Sequence, residues 1–188
     1  DAIDARLLAD IGRSDFRRLR RLNSDSEHMQ ELKILCRDQD ALLDQATRIS
    51  NQLTASLKEY YPVALELFSR PTLPVALAFL RTYPTLEAAR KASLPNLVAF
   101  LKAHRHPQPE AAARRIYDLV HAPQLEASLG VTRAKSRYVL ALISQLEPLL
   151  EAIGQYDEEI TRLFESHPDS VIFASLPGAG TRLAPRLL

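Results

Sequence analysis

Several groups of residues in this chain have types and spacing that could do chemistry. Asp1 and Asp4 stand three apart, so on a helix they share one side, a turn from each other. Two carboxylates on one face can hold Mg2+, which prefers oxygen ligands. Acids in a first turn also favour a helix N-terminus, with no metal involved. The next group is cationic. Arg13, Arg17, Arg18, Arg20 and Arg21 crowd one stretch, with Phe16, Leu19 and Leu22 between them. That pattern reads either as a solvated basic linker or as a strip that contacts phosphates. Further on come Lys102 and Arg105, the latter between His104 and His106, and then Arg133, Lys135 and Arg137. The two histidines read as part of a basic helix end, since no Cys, acid or third His is read as close enough in sequence to complete a metal set. Ser175-Leu176-Pro177-Gly178-Ala179-Gly180 holds the chain's one glycine cluster. An apolar residue, Pro-Gly-x-Gly and then a helix start describe the hairpin of a helix-hairpin-helix unit. There Gly178 and Gly180 would let backbone N–H groups approach a phosphate. An ordinary turn before a helix is the simpler reading.

These groups must be positioned by helices. Leu32, Leu35, Gln39, Leu42, Ala46, Ile49 and Leu53 alternate three- and four-residue steps. That spacing is a coiled-coil seam, and it predicts a helix from about Ser26 to Tyr60. Val139, Leu142, Leu146, Leu149, Ile153, Tyr156, Ile160 and Leu163 repeat the alternation. The two seams can pair with each other or with copies in a second chain. The second helix is predicted to open at Thr132, so that Arg133, Lys135 and Arg137 sit at an N-terminus whose dipole they oppose. An anion there would relieve that conflict, either a nucleic-acid phosphate or an acid of a neighbouring chain. Pro148 falls inside the second pattern and predicts a kink near residues 144 to 148.

Between the seams the chain is punctuated by proline from Pro62 to Pro123. Short helical patterns lie between the breaks: Val63 to Phe68, Leu73 to Leu80 capped by Thr72, Thr85 to Lys91, one capped by Ser93, and Glu110 to Val120. Before the first seam, Asp1 to Ile11 predicts a short helix with Ile3, Leu7, Leu8 and Ile11 on its apolar face and Gly12 as its stop. The expected class is all-α: two long coiled-coil helices with an inserted module of short helices. The expected segments are 1–22, 23–61, 62–131, 132–168 and 169–188.

Composition bounds the function classes. The chain has 188 residues and a net charge of +1, so any nucleic-acid surface must come from local clustering. No apolar run is long enough to cross a membrane. The single cysteine, Cys36, excludes a disulfide framework, and a reduced cytoplasmic setting is expected. The chain does not open on Met and its final residues fall within an apolar pattern, so a piece of a longer protein is expected.

Taken in order, these motifs resemble one family, the DEDD transposases of the IS-one-ten type, which are bridge-RNA-guided recombinases related to pilin-gene inverting recombinases. Asp1-Ala2-Ile3-Asp4-Ala5-Arg6 resembles the family's D-x-x-D-A motif, which closes a RuvC-like domain. The long helix ending in Tyr60-Tyr61-Pro62 resembles its coiled-coil arm, and Ala134-Lys135-Ser136-Arg137 its return arm. His167-Pro168-Asp169-Ser170 running into the glycine turn resembles the entry to the C-terminal transposase domain. The resemblance implies that Asp1 and Asp4 are the last two of four acids that bind Mg2+ in the intact protein, with none expected on this piece alone. It implies DNA and a structured guide RNA as partners, a homo-oligomer formed through the coiled coil, and DNA strand exchange as the activity of the whole. It implies that segment 1–22 ends a RuvC-like domain and that 169–188 begins a helix-hairpin-helix-like domain. The family's nucleophilic serine lies well beyond the Pro-Gly-x-Gly turn, so neither Ser170 nor Ser175 takes that role. A reading from a different class is a non-enzymatic helical adaptor whose coiled coil joins protein partners.

Overall fold

A computed structural model describes residues 2–14 and 25–188. Among the described residues there are ten helices and no strand. They are α1 (Ala2–Ser14), α2 (Glu27–Tyr60), α3 (Ala64–Leu67), α4 (Pro74–Thr82), α5 (Leu86–Arg90), α6 (Leu94–Ala103), α7 (Pro109–His121), α8 (Leu129–Ser166), α9 (Ser170–Ala174) and α10 (Gly180–Leu187).

The two seams pair within one chain. α2 and α8 form an antiparallel hairpin, the stalk: Leu32 and Cys36 pack with Ile160 and Leu163 at one end, and Leu53 and Leu57 share a core with Val139 and Leu142 toward the other. Leu53, Leu57, Val139, Ile143 and Leu146 have no exposed surface. Each such side chain contributes about 1.5–3 kcal/mol relative to its exposed state. Burial of the seam explains why these helices are stable at lengths of 34 and 38 residues, since most helical stability in a protein comes from packing of the apolar face. Cys36 lies in this packing, and burial pushes its thiol pKa up. It is a small side chain of the core.

The short helices α3 to α7 continue the stalk's core. Phe79 is fully buried, with ring centroids 5.5 Å from Phe68, 4.9 Å from Tyr83 and 5.7 Å from Phe100. Leu77, Leu97, Leu101, Ile116 and Val120 join the same cluster as Leu53 and Leu57. At the junction Tyr60 Oη donates to the Pro84 carbonyl at 2.9 Å. The Tyr61 hydroxyl is buried with no partner among the described residues.

Local sequence accounts for most helix ends. Ser26, Thr85 and Ser93 each accept a backbone N–H from three residues on, which satisfies a donor the helix start leaves unpaired. Other ends correct the sequence reading. Gly12 does not stop α1, which continues to Ser14; the Ser14 hydroxyl donates to the Asp10 carbonyl at 2.9 Å, and a glycine inside a helix costs only about 1 kcal/mol. Thr72 does not cap α4: its N-cap is Leu73, with Pro74 in the first turn. α8 starts at Leu129, capped by Ser128, three residues before the predicted opening at Thr132. The helix runs through Pro148 without interruption. Beside it Arg81 reaches from α4 to Ser144 Oγ at 3.3 Å and to the Glu147 carboxylate at 2.5 Å, so the turn weakened by proline is tied to a neighbouring helix.

α1 buries none of its residues. Ile3 is 75% exposed, Leu7 58% and Leu8 69%, so its apolar face is formed as predicted and is largely exposed. No helix is long and apolar enough to cross a membrane among the described residues.

Candidate nucleic-acid interface

The cations that the sequence singles out fall into two environments. Toward the module, Arg133 and Arg137 stand one turn apart on α8 and are exposed. No ion pair or hydrogen bond engages either side chain among the described residues. Between them Lys135 pairs with Glu59 of α2 at 2.8 Å and so helps to close the stalk. Tyr138, 44% exposed, lies next to Arg137. Because α8 begins at Leu129, Arg133 and Arg137 belong to its second and third turns. The predicted conflict with the helix dipole, which is confined to the first turn, is therefore absent.

Within the module Lys102 is held by Glu110 at 2.7 Å. The Lys102 hydrogen bond keeps the Glu110 carboxyl below its ordinary pKa. Arg105 follows α6 with φ 53° and is the one non-glycine residue with positive φ among those described. The His106 N–H reaches the Leu101 carbonyl at 2.9 Å and the Arg105 N–H reaches Lys102 at 3.0 Å. This is a Schellman ending in which arginine occupies the place glycine usually takes. His106 Nδ1 accepts the Gln108 N–H at 3.2 Å. Arg115 of α7 donates to the Leu67 carbonyl at 2.5 Å. Arg105, His106, Gln108 and Arg115 line a cavity of about 540 Å³.

At the far end of the stalk the glycine cluster forms a tight turn. The Ala179 N–H bonds the Leu176 carbonyl at 3.1 Å, and Gly178, with φ 80°, takes the left-handed position after proline that defines a type II turn. Gly180 has φ 54°. The backbone conformation explains both glycines, because a Cβ at either would meet nothing within 4 Å. The turn folds α10 back across the stalk. There Arg182 binds Asp157 of α8 through Nε at 3.1 Å and Nη2 at 2.6 Å. Arg186 reaches Gln39 at 2.8 Å and Asp40 at 2.6 Å on α2. Gln39, only 1% exposed, donates its amide to Asp157 at 2.7 Å. Burial alone would raise the Asp157 pKa. The hydrogen bonds from Arg182 and Gln39 and the charges of Arg182 and Arg186 outweigh it and hold the carboxyl below its usual range.

This clamp was not anticipated from the sequence. Its available signals were a glutamine inside a leucine seam and two arginines four apart on a short amphipathic helix. Conversely, four predicted contacts, Arg17, Arg18, Arg20 and Arg21, lie outside the described residues, as does Asp1. Asp4 is exposed on α1. No group of three or more His, Cys, Asp or Glu residues that could hold a metal occurs among the described residues. The described residues therefore do not by themselves assemble an Mg2+ site, which needs several oxygen ligands, and no chemical step through a metal follows from them.

Comparison with known proteins gives a consistent result. Residues 1–62 match the family model for DEDD transposases of the IS110 type, described as a transposase. The whole chain is 34% identical to the candidate mini-circle transposase for IS117 of Streptomyces coelicolor, covering 47% of that protein. It is 31% identical to an uncharacterised 43.6 kDa protein of insertion element IS110 from the same species, covering 46% of it. Over 96% of its length it is 28% identical to an uncharacterised 44.8 kDa protein of insertion element IS116 from Streptomyces clavuligerus. The chain thus spans about half the length of the curated relatives it matches. No solved structure matches it.

Proposed function

Because the chain belongs to the DEDD transposases of the IS110 type, we propose that it is the helical scaffold of a DNA-transposing recombinase, and that its stalk and module hold nucleic acid while the chemistry is completed elsewhere in the protein. The single observation that carries this reading, beyond the kinship, is the contrast between matched and unmatched cations. Arg182 and Arg186 are consumed by the fold, whereas Arg133 and Arg137 stand exposed on one face. Exposed arginines on a rigid helix suit phosphate contacts.

In the intact protein, Asp1 and Asp4 would supply two carboxylates of an Mg2+ site completed by further acids, and the bound metal would supply charge stabilisation. DNA and a structured RNA are the partners this reading assigns. A homo-oligomer would use the outer faces of the stalk, since the seam itself is spent within one chain.

Binding of the 188-residue chain to duplex DNA and to structured RNA, followed across a salt series, tests the proposal. Tight binding that weakens steeply with salt, and loses about one to two units of that slope in an Arg133→Gln/Arg137→Gln variant, is the expected result. A well-folded chain that binds neither partner at low salt would overturn it and leave the stalk as a device for joining proteins.

A further inference from the structure

We propose that the cavity between α3, the start of α4 and the α6–α7 turn receives one unpaired nucleotide of a single-stranded nucleic acid, with the base inside and its phosphate at Arg105. This rests on the nucleic-acid reading above and assigns it a substrate form and a place. The floor is apolar, with Phe68, Leu73 and Val75, and the rim carries Arg105, His106 and Arg115. Among the described residues no carboxylate lines it, although acids are nearly as frequent as Lys and Arg in the chain as a whole. An apolar floor suits a flat ring, and a cationic rim without acids suits an anion. A nucleotide joins the two at short range, and only an unpaired one can present its base. The volume of 540 Å³ lies within the range of small-ligand sites.

The backbone at Arg105 supplies an independent observation. Its φ of 53° strains an L residue, and glycine would end α6 without that strain. The chain instead places an exposed guanidinium at this point of the rim. Strain retained where a less strained residue would serve the fold is a mark of a functional position. Arg115 already spends one N–H on the Leu67 carbonyl, which fixes its plane and leaves other donors on the same guanidinium.

Two variants separate this proposal from a general basic surface. Arg105→Gly removes the cation and relieves the backbone, and Ala111→Glu, at an exposed lining position, sets a carboxylate in the cavity. The 188-residue chain is titrated into a fluorescent oligothymidine of about twelve nucleotides and into a duplex of equal length, with a 2-aminopurine strand reporting base unstacking. The expected result is a melting temperature unchanged or raised for Arg105→Gly, a loss of single-strand affinity of about tenfold in both variants, loss of the 2-aminopurine signal, and duplex binding as in the parent. Single-strand binding by Arg105→Gly equal to the parent's would overturn the cavity assignment, as would an equal loss on duplex and single strand. In either case the scaffold reading stands as long as Arg133→Gln/Arg137→Gln still weakens duplex binding. A chain that binds no nucleic acid at all overturns both.

Discussion

Two pairs of arginines, one toward each end of the stalk, are used in opposite ways. At the end crossed by α10, Arg182 and Arg186 are forked onto Asp157, Asp40 and a buried Gln39. At the end that carries the module, Arg133 and Arg137 face solvent. Apolar packing runs through both ends, broken near α10 by the buried Gln39, and does not by itself tell these arginines apart. Charge matching does. A guanidinium paired with a carboxylate that is itself bonded to a buried amide sets register and closes a helix onto its neighbours. One left unpaired on a helix surface adds little to folding and is available to a partner.

The largest expected effect tests whether the ends belong to one cooperative unit. Leu146→Ala empties a fully buried position of the seam and should cost about 2–5 kcal/mol. Urea unfolding followed both by helical signal and by a probe on α10 should give coincident transitions, and two separated transitions would break the comparison into independent parts. Next, Asp157→Ala strips the acceptor from Arg182 and from the buried Gln39 amide. Because Asp157 is partly exposed, the cost should be about 1–2 kcal/mol, against less than about 0.5 kcal/mol for Arg133→Gln at the unmatched end. Equal costs at the two ends would remove the distinction.

The same contrast appears in acid. The folded-state pKa of Asp157 is depressed, so its contribution is fully present above the unfolded value near pH 4 and is lost as pH falls through the lower folded value. Stability measured on descending from about pH 5 should fall less steeply in Asp157→Asn than in the parent, and an unaltered profile would show that the clamp adds no linkage. The smallest effect lies at the module junction. Tyr60→Phe loses its bond to the Pro84 carbonyl and should cost about 0.5–1.5 kcal/mol. Tyr61→Phe removes a buried hydroxyl without a partner among the described residues and should leave the thermal midpoint unchanged or raise it.

Much of this architecture was legible in the residues. The seam from Leu32 to Leu53 and its counterpart from Val139 to Leu163 are where the packing occurs, because a three-four alternation has few solutions other than a helix pair. Caps at Ser26 and Ser93 were legible for the same local reason. The start of α8 was not. Ser128 caps it, but Gly130 among polar and apolar neighbours masks the signal, and the misplaced start had suggested an anion at a dipole that those cations do not face. The clamp was illegible because Gln39 and Arg186 are separated by 147 positions, and no periodicity within a helix reports a contact between helices. The cavity at Arg105 was half legible: the cations could be read from composition, but the apolar floor from α3 and α4 required the tertiary fold.

The order in which the stalk's two helices leave the ribosome has its own consequence. α2 is complete at Tyr60, yet its mate begins only at Leu129. At translation rates of about 5–20 residues per second, a helix with a leucine seam stays unmatched for several seconds, while the module between has time to assemble. α10 emerges after both, and its arginines can engage only when both helices are present and in register. A correctly paired hairpin thus brings Asp157, Gln39 and Asp40 together as the seat of α10, and a slipped one would separate them.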